Sequence, residues 1–168
     1  NKIDKLAMKA RFNRAAVTYN QHDFLQKEVV LRTLQQLDYL RITPENIIDL
    51  GSGTGTGSKA LIKQFKKANV FQLDIALSML NCARARTKIP NRWFQKKRMI
   101  CGDIENLPIA DRSFDLAFSS LALQWGMQPD LCFREIRRVM NPGGLFLFST
   151  LGPDTLRELR QSFAVISD

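Results

Sequence analysis

Apolar residues gather in five short runs, and each run stops at a polar residue or a glycine. Runs of this length that are rich in Val, Ile, Leu and Phe are typical of strands buried on both faces of a parallel sheet. They predict strands at about 46–51, 69–74, 97–101, 114–119 and 144–150. The first strand is followed by a glycine-rich turn, and the second ends in an acidic residue.

Between these runs, apolar positions recur every three or four residues, which is the spacing of a helix with one buried face. They predict helices at 23–40, 56–67, 76–87 and 129–140. Pro44 ends the first helical region, and Leu156, Leu159 and Phe163 indicate a final helix. Because strands and helices alternate, we expect a mostly parallel sheet with right-handed crossovers and helices on both faces.

The turn after the first strand indicates a nucleoside site. It reads Asp49-Leu50-Gly51-Ser52-Gly53-Thr54-Gly55, and Thr56 stands where the dinucleotide pattern G-x-G-x-x-G needs its third glycine. The P-loop pattern fails as well, since no Gly-Lys-Ser/Thr follows. Asp74 ends the next strand, 25 positions after Asp49, where a carboxylate can bind a ribose diol. The alternatives are a plain strand-to-helix turn and a helix-capping Asp74.

Length and composition favour one domain with no membrane segment. The chain has 168 residues, of which 45% are hydrophobic, and no run approaches the roughly 20 apolar residues of a membrane helix. Its first residues lack the apolar segment of a signal peptide. The three scattered cysteines, Cys82, Cys101 and Cys132, predict a reducing, cytoplasmic location and are interpreted as small buried hydrophobes. With a single histidine and no cysteines at ligand spacing, no metal site is predicted.

The net charge of +9 is unevenly distributed. Positions 59–98 hold eleven Lys and Arg residues and one acid, Asp74. This segment is either a solvated face of two helices or a docking surface for an acidic partner. No nucleic-acid motif accompanies it, so no nucleic-acid partner is expected.

Several stretches resemble motifs of known families. The turn from Asp49 to Gly55 is similar to motif I of class I S-adenosylmethionine (SAM) methyltransferases. Two signatures resemble the biotin-synthesis methyltransferases of the BioC type, which are malonyl-acyl carrier protein O-methyltransferases. They are Phe12-Asn13-Arg14-Ala15-Ala16-Val17-Thr18-Tyr19-Asn20-Gln21-His22 and Gly102-Asp103-Ile104-Glu105-Asn106-Leu107-Pro108. The stretches 121–125 and 148–159 are similar too, whereas Ser120 stands where that family usually has Asn.

The resemblance implies a Rossmann-like α/β class I SAM methyltransferase fold with SAM as cofactor. The predicted cofactor-binding residues are Asp49, Gly51, Ser52, Gly53, Asp74, Ile75, Asp103 and Ile104. In methyltransferases the Gly-Asp pair reads adenine, so the resemblance assigns Asp103 and the Ile104 N–H to the base. Ile75 packs either on the face of the adenine or in the core. Tyr19, Gln124 and Trp125 are the candidates that position the methyl acceptor.

The resemblance also implies a reaction. SAM would methylate the free carboxylate of a malonyl thioester, carried by acyl carrier protein or CoA, in the synthesis of pimeloyl and biotin. A carboxylate is ionised at pH 7, so its attack requires no general base. The alternatives are a SAM-fold assembly factor, a protein-modifying enzyme similar to the arginine hydroxylases, and a non-catalytic SAM-binding module.

We expect one structural domain with three parts. Residues 1–45 form an amino-terminal helical lid and substrate region, 46–151 the SAM-binding core, and 152–168 the start of a helical region after strand five. The SAM methyltransferase sheet has seven strands, and five are accounted for, so the carboxyl-terminal strands are expected to be missing.

Overall fold

A five-stranded parallel sheet forms the centre of the protein in a computed structural model, which describes residues 4–19, 23–86, 98–152 and 154–155. The strands are β1 (Asn46–Leu50), β2 (Asn69–Asp74), β3 (Met99–Cys101), β4 (Phe114–Ser120) and β5 (Met140–Ser149). Their order is β3-β2-β1-β4-β5. The order changes direction between β1 and β4, which is where open α/β sheets bind ligands.

Helices pack on both faces of this sheet. They are α1 (Lys5–Ala15), α2 (Phe24–Gln35), α3 (Thr56–Gln64), α4 (Leu77–Arg86) and α5 (Pro129–Val139). Short 3₁₀ turns follow α2 at Gln36–Tyr39 and β4 at Leu123–Trp125. Across the described ranges, no helix combines the length and the apolar character needed to cross a bilayer.

Alternating strand side chains build the core on the two faces. Ile47 packs in one cluster with Val30 of α2 and Leu61 of α3. Its chain neighbour Ile48 packs in a second cluster with Ile136 of α5. Because successive strand residues point to opposite faces, an apolar run without alternation is what a sheet covered on both faces requires.

The predicted fold class is confirmed, whereas several element ends differ from the sequence prediction. Regular helix α2 ends at Gln35 and continues only as a 3₁₀ turn. Helix α3 ends at Gln64 rather than 67, since Phe65 leaves the helical conformation (ψ 73°) and packs against the core. Strand β5 begins at Met140 rather than 144, and its register is irregular opposite Phe114 and Leu116. The predicted final helix and residue 97 lie outside the described residues.

The cysteines differ from one another in burial. Cys132 is buried and Cys82 is half-buried, but Cys101 is exposed, so its interpretation as a buried hydrophobe is wrong. Cys101 lies on β3, which is three residues long and forms an edge of the sheet. An edge strand this short leaves part of its surface open to solvent.

Candidate functional site

One cavity opens at the carboxyl ends of four strands. Its walls include residues that directly follow β1, β2, β3 and β4, namely Gly51, Ile75, Gly102 and Leu121. The space between the walls is about 760 Å³ including the open mouth, which falls within the range of small-molecule sites. We call the strand-end residues the floor of this main cavity.

The glycine turn is tied to the neighbouring strand. The N–H groups of Gly51 and Ser52 both donate to the carbonyl oxygen of Leu73, at 2.8 and 3.0 Å. Gly51 has φ +71° and Gly53 has φ +53°, a left-handed backbone conformation that residues other than glycine rarely adopt. A methyl group at Gly51 would also overlap the methyl group of Ala122. The turn therefore leaves bare backbone on the cavity wall.

Asp74 is the buried carboxylate of the floor. Its Oδ2 accepts the Gly53 N–H at 2.8 Å, and its Oδ1 accepts the Ala76 N–H at 2.8 Å. Burial raises the pKa of Asp74, and these two backbone donors oppose the rise. Each oxygen of a carboxylate has two lone pairs, so both can accept a further hydrogen bond from a ligand.

Asp49 lies beneath the glycine turn rather than on the main cavity. It is 2% exposed, and its Oδ2 accepts the Ser58 hydroxyl at 2.5 Å. Burial raises the pKa of Asp49 to about 7, the Ser58 hydrogen bond opposes this, and the nearby negative charge of Asp74 adds to it. The geometry matches a residue that orders the turn, with Gly57 directly against the Asp49 carboxylate.

The loop after β3 forms the wall opposite the glycine turn. Asp103 and Ile104 both lie on the main cavity. The Asp103 carboxylate accepts the Glu105 N–H through Oδ1 at 3.0 Å and pairs with Lys5 Nζ through Oδ2 at 2.5 Å. Asp103 is thus held from two directions before any ligand binds.

Helix α1 covers the main cavity as a roof. Lys5, Met8 and Phe12 of α1 line the cavity, and Phe12 makes an edge-on aromatic contact with Trp125 at 5.2 Å. Tyr19 lines the cavity beyond the end of α1. Burial raises the pKa of the Tyr19 phenol, and the charges of Asp74 and Asp23 raise it further. The roof therefore encloses the floor with apolar and aromatic side chains.

The predicted acceptor-side residues separate in the structure. Tyr19 and Trp125 line the main cavity, but Gln124 does not. The Gln124 amide instead donates to the Leu121 carbonyl at 2.8 Å, within its own loop. Leu121 has φ +51°, a strained conformation for a leucine, and its side chain lies on the cavity wall.

Sequence reasoning missed the residues that join these parts. Glu105 is buried, and it accepts the Lys5 ammonium, the Met127 N–H and the Gln128 N–H, the last at 3.0 Å. It therefore links α1, the β3 loop and the start of α5. The signature stretch 102–108 contains Glu105, but nothing in a single sequence indicates that Lys5 is its partner.

A smaller side cavity continues from the main one. The two share Tyr19, Gly51, Gly53 and Ser120 on their walls. Asp49 and Ser52 line only the side cavity. Ser52 is buried, and its hydroxyl has no hydrogen-bond partner within the described part of the chain.

The residues present fit a nucleoside ligand that has a polar end. Asp74 offers acceptors for a diol, the bare glycine turn permits close approach, and Ser52 is a buried polar group left for a ligand. Apolar walls from Ile75, Ile104 and the roof suit a flat base. Among the residues that the structure describes, no three His, Cys, Asp or Glu side chains form a metal-binding group.

The strand order, the glycine turn and the acids at the strand ends define the Rossmann-like fold of class I SAM-dependent methyltransferases. The chain belongs to the methyltransferase domain family, whose model matches residues 48–148. The protein is also similar in fold to the plantazolicin methyltransferase BpumL, which was solved with SAH (S-adenosylhomocysteine). That likeness has a TM-score of 0.67 and 19% identity, and it covers 89% of this chain and 57% of that one.

Two relatives are more similar in sequence. A malonyl-[acyl-carrier protein] O-methyltransferase of Gallionella capsiferriformans is 42% identical over 99% of this chain and 58% of its own length. The protein of the same name from Xylella fastidiosa is 45% identical over 96% of this chain and 54% of its own length. The resemblance to this group of methyltransferases is therefore confirmed. The chain spans little more than half the length of these relatives.

Proposed function

We propose that the chain is the cofactor-binding part of a SAM-dependent O-methyltransferase that acts on malonyl-acyl carrier protein, in the synthesis of biotin. The observation that carries this proposal is the identity of 42–45% with relatives of that name over nearly the whole chain. The cavity supports it, since its acceptors and bare glycine backbone suit an adenosine ligand.

Each wall has a proposed role in holding SAM. Asp74 accepts hydrogen bonds from the ribose hydroxyls, and Gly51 and Gly53 admit the chain between ribose and methionine. Asp103 and the Ile104 N–H bind the edge of the adenine, while Ile75 packs on its face. Asp49 keeps the glycine turn in place from below, and Ser52 contacts the methionine end.

The main requirement of the reaction is that the protein aligns the methyl acceptor with the methyl group of SAM. When bound, SAM supplies a methyl group that its sulfonium already activates. The malonyl carboxylate is ionised at neutral pH, so no side chain has to remove a proton. Phe12, Tyr19 and Trp125 exclude water and hold the carboxylate oxygen in line with the methyl carbon, which is where the rate gain arises.

The carrier protein is proposed to approach over the outer face of α1. The inner face of this helix lines the cavity, and its outer face carries exposed Arg11 and Arg14. No acidic residue occurs between Lys5 and Ala15. The basic segment at 59–98 is the competing surface, with exposed Lys63 and Lys66 within its described part. Lys96 and Lys97, two residues suited to charge reversal, lie outside the described residues.

Two measurements test the proposal together. Calorimetric titration with SAM checks the cofactor, and methyl transfer to malonyl-acyl carrier protein, beside malonyl-CoA, checks the acceptor. We expect charge reversal at Arg11 and Arg14 to lower kcat/KM for the carrier protein only, and more strongly at low salt. Reversal at Lys63 and Lys66 tests the competing surface, and a larger loss there than at Arg11 and Arg14 would favour docking on the segment at 59–98.

The alternatives predict different results. A non-catalytic SAM-binding module binds SAM but transfers no methyl group to either substrate. An assembly factor or an enzyme similar to the arginine hydroxylases leaves the malonyl carboxylate unmethylated. The names of the relatives do not favour these alternatives.

A further inference from the structure

The far wall of the side cavity is the first turn of α2. This turn contributes Asp23 and Gln26 to the cavity, and Val30 lies one turn further along. Because the side cavity shares Gly51 and Gly53 with the main one, a ligand that follows the glycine turn reaches α2 with its far end.

Asp23 occupies the N-cap position of α2 but does not cap it. An N-cap Asp normally accepts a backbone N–H from the first turn of its helix, and the Asp23 side chain makes no such bond. It is 3% exposed, its Oδ1 lies 2.6 Å from Lys27 Nζ, and its Oδ2 has no hydrogen-bond partner in the described ranges. A buried carboxylate oxygen without a donor is costly, and Oδ2 provides the helix with no capping bond in return.

The groups around Asp23 are also acceptors. Gln26 Oε1 is buried without a partner among the described residues, although the same side chain hydrogen-bonds to Tyr19. The Ser52 hydroxyl is likewise unpartnered there, and Asp49 adds a carboxyl group to the same walls. An excess of buried acceptors suits a positively charged group with several N–H donors, which describes an ammonium.

We infer that Asp23, together with Gln26, binds the ammonium group at the amino-acid end of the nucleoside cofactor. This inference rests on the proposed SAM site and extends it to a helix outside the glycine turn. The cavity then recognises its ligand by the ammonium group as well as by the adenosine. The non-capping geometry of Asp23 is then explained by the ligand that it binds rather than by its own helix.

The test compares two ligands that differ only in this group. SAH and its deamino analogue, in which hydrogen replaces the amino group, are titrated calorimetrically into the wild-type protein, Asp23→Asn and Asp38→Asn. The control Asp38 is exposed, lies outside both cavities and accepts a hydrogen bond from Gln64, and its substitution removes the same charge. We expect wild type and Asp38→Asn to bind SAH about tenfold or more tightly than the analogue.

In Asp23→Asn we expect the two ligands to bind with nearly equal affinity. A preference for SAH that survives unchanged in this variant would overturn the role of Asp23. Equal affinities in the wild-type protein would overturn the inference without any variant, whether or not Asp23→Asn folds. If the wild-type protein binds neither ligand, both the proposed cofactor site and this inference are wrong.

Discussion

The floor and the roof of the main cavity are held in place by different forces. The floor consists of strand ends in a parallel sheet, where backbone N–H groups fix Asp74 and the Leu73 carbonyl fixes the glycine turn. The roof is one helix, α1, and side-chain contacts hold it in place. These are the ion pairs of Lys5, the ring contact of Phe12 and apolar packing against Met79 of α4. The Asn13 side chain also accepts the Ser78 N–H at 3.0 Å, while Leu6 on the outer side of α1 is 77% exposed.

This contrast explains what each region can tolerate. Backbone hydrogen bonds in the floor join the glycine turn, Leu73 and Asp74, so a substitution that shifts the turn also shifts the other two. Side-chain contacts in the roof are partly solvated, and side chains can rearrange around a missing one. The loss of one contact should therefore lower the free energy of unfolding only slightly. We therefore expect substitutions in the floor to cost more than substitutions in the roof.

The largest effect is expected from Gly51→Ala. Its φ of +71° strains alanine, and the added methyl group would overlap the Ala122 methyl group. Left-handed strain and overpacking together suggest a loss of about 3 kcal/mol in the free energy of unfolding. Urea denaturation measures it. Gly53→Ala is the matched control, since it has φ +53° but open space around the new methyl group, and it should lose about 1 kcal/mol. Equal losses would show that packing against Ala122 does not matter.

Asp74→Ala should weaken SAM binding by ~1.5–3 kcal/mol, the scale for losing hydrogen bonds to a charged group. This corresponds to roughly tenfold or more in the dissociation constant. The same substitution at Asp103, whose side chain is 30% exposed and already paired with Lys5, should have a smaller effect. Calorimetry measures both, with circular dichroism as the check that the fold is intact. Unchanged SAM affinity in a folded Asp74→Ala protein would remove Asp74 from the site.

The floor was largely predictable from the sequence because it is made of local patterns. An apolar run followed by Gly51, or one that ends in Asp74, specifies both a strand and what stands at its carboxyl end. Parallel pairing then brings the strand ends together without further information. The assignment of SAM to these residues stays a prediction until a titration is made.

The roof depends on pairs that are distant along the chain. Lys5 meets Asp103 and Glu105 about a hundred positions away, and Phe12 meets Trp125. No periodicity links such residues, so a single sequence cannot indicate the pairs. Gln124 adjoins Trp125 in the sequence, yet its amide donates to the Leu121 carbonyl and the residue does not line the main cavity.

The pH dependence of stability should differ in sign between Asp49, beneath the glycine turn of the floor, and Glu105, which pairs with Lys5 of the roof. Burial raises the pKa of Asp49 to about 7 from an ordinary 3.8, so the folded state holds a proton that the unfolded state has already lost. Its stabilising contribution is present below about pH 4 and is lost as the pH rises through about 7. Between about pH 5.5 and pH 8, the wild-type protein should lose about 2 kcal/mol relative to Asp49→Asn.

Glu105, in the loop after β3 and paired with Lys5 of the roof, behaves in the opposite way. Burial acts to raise its pKa, but Lys5 and the N–H groups of Gln128 and Met127 outweigh it and leave the pKa below the ordinary 4.5. Its contribution is therefore present above that value and is lost on acidification. Urea denaturation at several pH values measures both trends. Parallel curves for wild type and Asp49→Asn would mean that Asp49 does not hold the extra proton.

The smallest effect is expected from Lys5→Met, which keeps most of the side chain and removes its charge. The Lys5 side chain is 28% exposed, and Glu105 keeps its two backbone donors in the variant, so the loss should be about 1 kcal/mol or less. The control is Lys9→Met on the same helix. Lys9 makes no ion pair within the described residues, so this variant should lose less stability still. Urea denaturation at pH 7 compares them. A loss for Lys5→Met as large as that for Gly51→Ala would mean that the roof is as firmly built as the floor, and the contrast between the two regions would fail.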